Sequence, residues 1–346
     1  MAAESSRSLP DLSIVVPAHD AAGTLRRCLE AVCGSGLDDA ELIVVDDKSA
    51  DDSARIAGDL CHRLVRLTSR RGAAAARNAG ARAARGAIIV FVDADVVIAS
   101  DTLHRVREDF SRHPDVAAVQ SLYRCPGPVA NPWSRYQNDY YHYSLRRVPG
   151  DHTSVFATWC AAVRRDVFLR AGGFDERIPG ATVEDEEFGY TLVDKGYQIL
   201  LDRTLLVDHL ADYTLGRFLI RRFRMGRSQM KSALRHVRLR LLRRYANVGS
   251  NLTHHSRRIV LAIPVSWGIA LLLGALLVMP GWRLLAVFLG AWVVLACLGG
   301  GFLTHVRVTH GWVAAMVSLG MLWFDMLAVG AGLMVGALEY AVGRRF

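Results

Sequence analysis

The sequence lacks several patterns that would assign its chemistry directly. No Gly-x-Gly-x-x-Gly follows the first apolar run, and no Gly-x-x-x-x-Gly-Lys-Ser/Thr occurs, which disfavours a dinucleotide-binding fold and a P-loop enzyme. The six cysteines show no paired metal-ligand spacing (Cys28, Cys33, Cys61, Cys125, Cys160 and Cys297). We interpret them as unpaired small apolar residues in a reducing cytoplasm. The polar residues 1–7 lack the apolar run of a secretory signal, so we expect residues 1–214 to stay in the cytoplasm.

Acidic residues are nearly absent from the second part of the chain. Residues 215–346 contain 17 Lys/Arg and two Asp/Glu, whereas residues 1–214 contain 25 and 31. The segment 215–258 holds 13 basic residues and no acid, which is typical of binding to nucleic acid or to anionic lipid. Its apolar residues recur at roughly helical spacing between the arginines. This spacing predicts amphipathic helices at the cytoplasmic surface of a membrane.

Three apolar runs follow the basic segment and favour lipid over nucleic acid. They cover 259–279, 284–303 and 312–338, and Asp325 interrupts the third. Each is long enough to cross a hydrocarbon core of about 30 Å. We therefore predict about three spans, in the inner membrane of the cell and with the N-terminal part facing the cytoplasm. Three spans leave Arg344-Arg345 outside, against the positive-inside rule, and an interfacial or re-entrant third segment would remove that conflict.

These boundaries divide the chain into four parts. A polar tail (1–11) precedes a domain at 12–214, then come the basic interfacial helices (215–258) and the membrane region (259–346). Within 12–214, short apolar runs that resemble buried strands alternate with helical patterns. The alternation predicts a Rossmann-like α/β fold with a mostly parallel sheet.

Acidic side chains follow three of the predicted strands, Leu12–Pro17, Glu41–Val45 and Ala87–Val92. Ligands of such sheets bind beyond the carboxyl ends of the strands. The last pair, Asp93-Ala-Asp95, is suited to a divalent cation such as Mg²⁺ or Mn²⁺, which takes oxygen ligands and shares them with substrate phosphates. Alone, the pair also fits a solvated turn at a strand end. The motifs around it favour the metal.

The ordered series of motifs resembles the family 2 glycosyltransferases, which have the GT-A fold of nucleotide-diphospho-sugar transferases. It covers roughly residues 12–230 and comprises Ile14-Val-Val-Pro-Ala-His-Asp20, Val44-Val-Asp-Asp-Lys-Ser-Ala-Asp51, Arg77-Asn-Ala-Gly80, Asp93-Ala-Asp95, Gly172-Gly-Phe-Asp-Glu176 and Glu184-Asp185. The resemblance implies an inverting, metal-dependent transferase that uses a nucleotide-sugar donor.

The resemblance also implies roles for the donor site. The nucleotide would contact six residues: Pro17, His19, Asp20, Asp47, Arg77 and Asp93. Of these, Asp47 would accept a hydrogen bond from a uracil-type N3–H, which favours a UDP-sugar. Mg²⁺ or Mn²⁺ would bind Asp95 directly, with Asp93 acting through water or on the ribose and His209 as a further ligand.

For the acceptor, the resemblance implies that Asp185 is the general base and that Glu184 contacts the acceptor or supports the loop. The run of acids from Glu184 also fits the N-terminus of a helix, where carboxylates are favoured, and the two interpretations are compatible. Further candidates for the acceptor or the diphosphate are Trp159, Arg221, Arg222 and Arg224.

Three functions remain open from the sequence. The first is a membrane-anchored enzyme that glycosylates a hydroxyl of a lipid or a lipid-linked saccharide. The second is a polyprenyl-phosphate glycosyltransferase, whose anionic acceptor needs little help from a base. The third is a lipid-binding scaffold without activity, against which the acids at the strand ends argue. Gln-x-x-Arg-Trp is absent, which disfavours a processive polymerase. We expect a nucleotide sugar, a lipid acceptor and anionic lipids as partners, and no nucleic acid.

Overall fold

The computed structural model describes residues 11–36, 39–238 and 257–345. They form two compact units. The first combines the described residues of Met1–Leu122 with Pro149–Ala211, and the second combines Tyr123–Val148 with those of Asp212–Phe346. The sequence predicts one continuous domain at 12–214. The structure instead groups residues 123–148 with the C-terminal helices.

The first unit is built on one nine-stranded sheet, with the strand order β3-β2-β1-β4-β8-β6-β9-β5 and with β7 paired to β9. The strands are β1 Leu12–Ala18, β2 Ala40–Asp46, β3 Arg63–Arg66, β4 Ile88–Val92, β5 Val96–Val97, β6 Val116–Tyr123, β7 His152–Thr153, β8 Cys160–Arg164 and β9 Gln198–His209. Its helices are α1 Ala22–Gly34, α2 Ser53–Leu60, α3 Ala73–Ala83, α4 Thr102–Arg112, α6 Arg165–Ala171 and α7 Glu184–Asp194.

The half of the sheet formed by β3, β2, β1 and β4 is parallel throughout. Nearly every residue of β1, β2 and β4 is buried, as expected of strands covered on both faces. Helix α3 lies close to this half, because Gly80 has no side chain. A Cβ atom there would lie 2.3 Å from Cγ1 of Val15. The predicted α/β fold with a mostly parallel sheet is confirmed.

An antiparallel extension continues the sheet beyond β4. Strand β8 runs antiparallel to both β4 and β6, and β9 runs antiparallel to β5 and β7. Strand β5 follows directly after Asp95 and pairs with the end of β9, with Val96 opposite His209. This pairing brings two distant parts of the sequence to the same sheet edge.

The second unit is helical. Its elements are α5 Pro132–Arg146, α8 Leu215–Arg238, α9 Arg257–Val260, α10 Ala262–Val278, α11 Trp282–Leu298, α12 Gly300–His310 and α13 Trp312–Ala341. Asp325, the acid within the third apolar run, is 1% exposed. The guanidinium of Arg222 on α8 forms an ion pair with it, and the hydroxyl of Tyr136 on α5 donates to it at 3.0 Å.

Helix α8 packs along α13 over much of its length. Glycines permit the close approach, because a Cβ atom on Gly226 would lie 2.5 Å from the carbonyl oxygen of Val329, and one on Gly336 would lie 2.4 Å from that of Arg227. The sequence predicts that the arginines of 215–258 face lipid phosphates. For Arg222 that prediction is wrong, because its charge is neutralised inside the helix packing. Residues 239–256 of the predicted interfacial segment lie outside the described residues.

Among the described residues, α13 is the single helix long and apolar enough to cross a membrane, with 30 residues. Helices α11 and α12 meet the same criteria only together, and they are bent by 75° at Gly299. Helix α10 is apolar but has 17 residues. The predicted span 284–303 includes this bend, which a glycine-rich stretch permits. The number of membrane crossings stays a prediction.

Candidate functional site

The loops after β1 and β2 are held together by acidic side chains. The carboxylate of Asp47 is 4% exposed and accepts backbone N–H bonds from Arg71 and Gly72, both at 2.7 Å. Nδ1 of His19 lies 2.9 Å from the carbonyl oxygen of Asp47. Asp47 therefore fixes the chain that leads into α3. Two such bonds leave further acceptor capacity on its oxygens, which a ligand can use.

Asp20 and Pro17 lie at the end of the first strand. Asp20 has a left-handed backbone, with φ of 47°, and its carboxylate accepts from the backbone N–H of Ala50 at 2.7 Å. Pro17 pairs with Val45 in the parallel ladder. Asp46, the neighbour of Asp47, accepts from the backbone N–H of Ser49 at 3.0 Å, as a residue that braces this turn does. The structure thus brings Pro17, His19, Asp20 and Asp47 to one edge of the sheet.

Arg77 connects Asp93 to the start of α7. It is 3% exposed, and its guanidinium donates to Asp93 Oδ1 at 2.7 Å and to Glu184 Oε1 at 2.8 Å. Burial disfavours its charge, but the two carboxylates outweigh that effect and raise the pKa of Arg77 above its ordinary value. Arg77 is therefore part of a buried charge network and not a surface arginine.

Asp185 lies beside this network at the beginning of α7. Its carboxylate accepts from the backbone N–H of Glu186 at 2.9 Å and from that of Thr158 at 3.4 Å. Burial and the neighbouring charge of Glu184 raise the pKa of Asp185 to about 7, against the opposing effect of Arg77. A carboxylate with a pKa near neutrality is suited to accept a proton during catalysis.

Asp95 and His209 are brought together by the backbone. The β5–β9 ladder places Val96 opposite His209, and the N–H of Leu210 donates to the carbonyl of Asp95 at 2.7 Å. As a result, Nε2 of His209 lies 3.4 Å from Oδ2 of Asp95. The Asp95 side chain is 36% exposed, whereas that of His209 is buried. One carboxylate oxygen and one imidazole nitrogen at an open sheet edge fit a divalent cation such as Mn²⁺.

The remaining candidates lie in different places. Trp159 is buried next to Asp93, whose backbone N–H donates to its carbonyl at 3.2 Å. Arg221, Arg222 and Arg224 are on α8, in the second unit. The guanidinium of Arg221 lies 5.8 Å from the ring centroid of Tyr213, and Arg224 is exposed.

Sequence reasoning gave no role to Glu176, although it noted the motif that ends there. The structure shows that Asn78 Nδ2 donates to Glu176 Oε1 at 3.0 Å and that Arg71 Nη2 donates to Oε2 at 2.6 Å. Asn78 also exchanges two hydrogen bonds with the backbone of Phe174. Glu176 thus braces α3 and the loop that Asp47 holds. The signal was present in the two motifs, Arg77-Asn-Ala-Gly80 and Gly172–Glu176, but only the fold shows that they meet.

The chain is similar in sequence to known glycosyltransferases. Residues 13–171 match the family model described as glycosyl transferase family 2. The chain is 34% identical over 105 residues to the uncharacterized glycosyltransferase EpsJ of Bacillus subtilis, a match of 29% of this chain and 30% of that protein. It is 38% identical over 117 residues to the succinoglycan biosynthesis protein ExoO of Rhizobium meliloti, a match of 33% of this chain and 34% of that protein. The chain thus spans about a third of the length of these curated relatives.

A solved structure shares the fold over nearly the full length. It is the mannosyltransferase PcManGT from Pyrobaculum calidifontis in complex with GDP-Man and Mn²⁺, with a TM-score of 0.55. The match covers 98% of this chain and 89% of that one, at 19% identity. This likeness extends the shared fold beyond the residues that match the family model.

Proposed function

We propose that the chain is an inverting glycosyltransferase, because residues 13–171 match the family model of glycosyl transferase family 2. Its donor is a nucleotide-diphosphate sugar, and its acceptor is a hydroxyl of a lipid or a lipid-linked saccharide. The observation that carries the proposal is the buried Arg77, which joins Asp93 at the strand end to Glu184 and thereby to the helix that presents Asp185. Asp93, proposed for the donor site, and Glu184, beside the proposed base, then belong to one network of ion pairs.

The donor site is proposed at the edge formed by Pro17, His19, Asp20 and Asp47. Asp47 is held by two backbone bonds and would receive the base, which favours a UDP-sugar. The protein that shares the fold was solved with GDP-Man and Mn²⁺, and this supports a nucleotide sugar as the class of donor. Arg77 acts indirectly, because its ion pair orients the side chain of Asp93.

A divalent cation, Mg²⁺ or Mn²⁺, would be held by Asp95, with His209 and Asp93 as further or water-mediated ligands. When bound, it would neutralise the charge of the departing nucleoside diphosphate. The contribution of the protein is to keep these metal ligands in place. The β5–β9 ladder does so for Asp95 and His209, and the ion pair with Arg77 does so for Asp93.

Asp185 is proposed as the base. The acceptor oxygen attacks the anomeric carbon, the bond from that carbon to the diphosphate oxygen breaks, and the hydroxyl proton passes to the Asp185 carboxylate. Its pKa of about 7 lets it hold that proton once transferred and still be ionised in a useful fraction beforehand. Glu184 is bonded to Arg77 and to the backbone N–H of Thr182, so it supports the loop more directly than it reaches an acceptor.

We further propose that the second unit anchors the enzyme at the cytoplasmic membrane, with the family 2 domain in the cytoplasm. The apolar helix α13 and the exposed arginines of α8, such as Arg217 and Arg224, support this proposal. The same arginines favour the second candidate function, transfer to a polyprenyl phosphate. Trp159, Arg221 and Arg224 remain candidates for contact with the acceptor or the diphosphate, whereas Arg222 is paired with Asp325.

A donor screen tests the function. The full chain is purified in detergent, mixed with a lipid extract and Mn²⁺, and given UDP- and GDP-sugars singly, and the lipids are then analysed by mass spectrometry. A lipid that gains one hexose or N-acetylhexosamine with one donor, and gains nothing with the Asp185→Asn protein, supports the proposal. A product that is stable to mild acid indicates a hydroxyl acceptor, whereas an acid-labile phosphodiester indicates polyprenyl phosphate. Absence of product with every donor overturns the proposal.

A further inference from the structure

A group of side chains of metal-ligating types lies in the second unit, and the proposed reaction uses none of them. Cys125 is in the loop after β6, Asp139 is on α5, and His305 and His310 are on α12. One ligand atom from each of Cys125, Asp139 and His310 lies within 4.8 Å of the other two. Their spacing along the chain follows no metal-binding motif, so they were not recognised from the sequence.

The distances within this group are short. Sγ of Cys125 lies 3.2 Å from Asp139 Oδ1 and 3.4 Å from Nε2 of His305. Nε2 of His310 lies 3.0 Å from the other oxygen of Asp139. In a tetrahedral zinc site, with metal–ligand bonds of about 2.0–2.3 Å, neighbouring ligand atoms are roughly 3.3–3.8 Å apart. Cys125, Asp139 and His310 therefore lie close enough together to share one ion, and His305 lies beside Cys125.

One ring nitrogen of this group makes no hydrogen bond with the described residues, although it is buried. The Asp139 side chain is 2% exposed and that of His310 is 14% exposed. Within the described part of the chain, Nε2 of His310 is buried and has no partner with hydrogen-bond geometry, although Asp139 is at ion-pair distance. A buried ring nitrogen that lies 3.0 Å from a buried carboxylate without hydrogen-bond geometry is the second observation that points to a ligand.

We propose that Cys125, Asp139 and His310, with His305 as the fourth ligand, bind a divalent transition metal of the zinc type. On binding, the Cys125 thiol releases its proton to solvent and a sulfur–metal bond forms. One thiolate and one carboxylate then neutralise the two charges of the ion, which removes the cost of burying Asp139 as an anion. The sulfur and imidazole ligands select zinc over magnesium or manganese.

The surroundings support this set of ligands. The ring of His142 stacks on that of His305, with centroids 5.7 Å apart and an angle of 17° between the planes. His142 is fixed in turn by a 2.7 Å hydrogen bond with the carbonyl of Tyr123. These contacts orient the His305 ring in the way that outer-shell groups orient metal ligands. The ion would tie the Cys125 loop, α5 and α12 to one another within the second unit.

The test measures bound metal and not sugar transfer. The full chain is purified without chelator from cells grown with added zinc, and its metal content is determined by elemental analysis. An Asp95→Ala background removes the other candidate site. The matched control is Cys297→Ser, because Cys297 is an exposed free cysteine on α11. We expect about one zinc ion per chain in the control and its loss in Cys125→Ser and in His310→Ala.

Cobalt substitution keeps the test independent of whether these variants fold. Co²⁺ added to the protein with only the Asp95→Ala change should give a sulfur-to-cobalt charge-transfer absorption in the near ultraviolet, and excess Zn²⁺ should abolish it. The absorption should persist when Cys297 is replaced. Zinc content that is equal in the Cys125→Ser protein and in the control overturns the proposal, and so does cobalt binding without the sulfur band.

Discussion

The buried charge network allows a prediction about stability. In Arg77→Met, Glu184 keeps its carboxylate at 2% exposure but loses its ion-pair partner, and Asp93 loses a 2.7 Å bond. Breaking a buried pair by removing one partner costs about 3–5 kcal/mol. For a domain of 150–250 residues, each kcal/mol lowers the melting temperature by about 2–4 °C. We therefore expect the melting temperature of the first unit to fall by roughly 6–20 °C.

The assay is a thermal scan of the full chain in detergent, in which intrinsic fluorescence reports unfolding. A matched control is Arg112→Met, which breaks a 3.1 Å pair with Glu108 on the surface of α4. Exposed pairs contribute at most about 1 kcal/mol, so this variant should melt within about 4 °C of the parent. The double variant Arg77→Met/Glu184→Gln should regain much of the loss, because no carboxylate is then left buried without a partner.

Two outcomes would refute this reasoning. One is an Arg77→Met protein with the same melting temperature as the Arg112→Met control, since Arg77 would then not neutralise the buried Glu184. The other is a double variant that melts as low as Arg77→Met alone, since the loss would then come from packing and not from charge.

Three further predictions follow from the site. Asp185→Asn should abolish transfer while nucleotide binding survives, and in the parent kcat/KM should rise with pH up to about 7, because the base must be ionised; an unchanged turnover, or a rate that is flat between pH 5 and 8, would contradict this. Asp95→Ala and His209→Ala should each lose Mn²⁺-dependent UDP binding in calorimetry, whereas Asp208→Asn, on the neighbouring position of β9, should keep it; normal binding in Asp95→Ala would defeat the assignment. Gly80→Ala should lower the melting temperature, because its Cβ would lie 2.3 Å from Val15, whereas Gly23→Ala, where nothing lies within 4 Å, should not; equal melting of the two would show that α3 can move away.

The fold of the first unit could be predicted where the pattern is local. The run Leu12–Pro17 was predicted as a strand and β1 spans Leu12–Ala18, and the run Glu41–Val45 became β2, Ala40–Asp46. Apolar runs between turn residues are enough to identify such strands. Residues 123–148 were misplaced, because the aromatic residues of α5 pack with the C-terminal helices, and no periodic signal in α5 itself reveals its partner.

The candidate site was predictable in its residue types and less so in its contacts. The position of Asp95 after a strand suggested a ligand, but its neighbour His209 depends on the pairing of β5 with β9. Arg77 was expected near the nucleotide, whereas the fold directs its guanidinium to Asp93 and Glu184. The sequence around a charged residue does not indicate which acidic side chain it will contact in the folded protein. The bend at Gly299 was not predicted, because the hydropathy of a segment does not indicate where its helix axis changes direction.

The pairing of β5 with β9 has a consequence for the order in which the protein matures. The family 2 match ends at residue 171, but His209 lies beyond it and joins Asp95 only when the last strand docks. Pairings between distant parts of a chain form late in folding, because the long loop between them must first be closed. A nascent chain that stops after the matched segment lacks both Asp185 and His209. Under the proposed mechanism, such a chain would lack both the base and the histidine ligand of the metal, so sugar transfer would require the later strand.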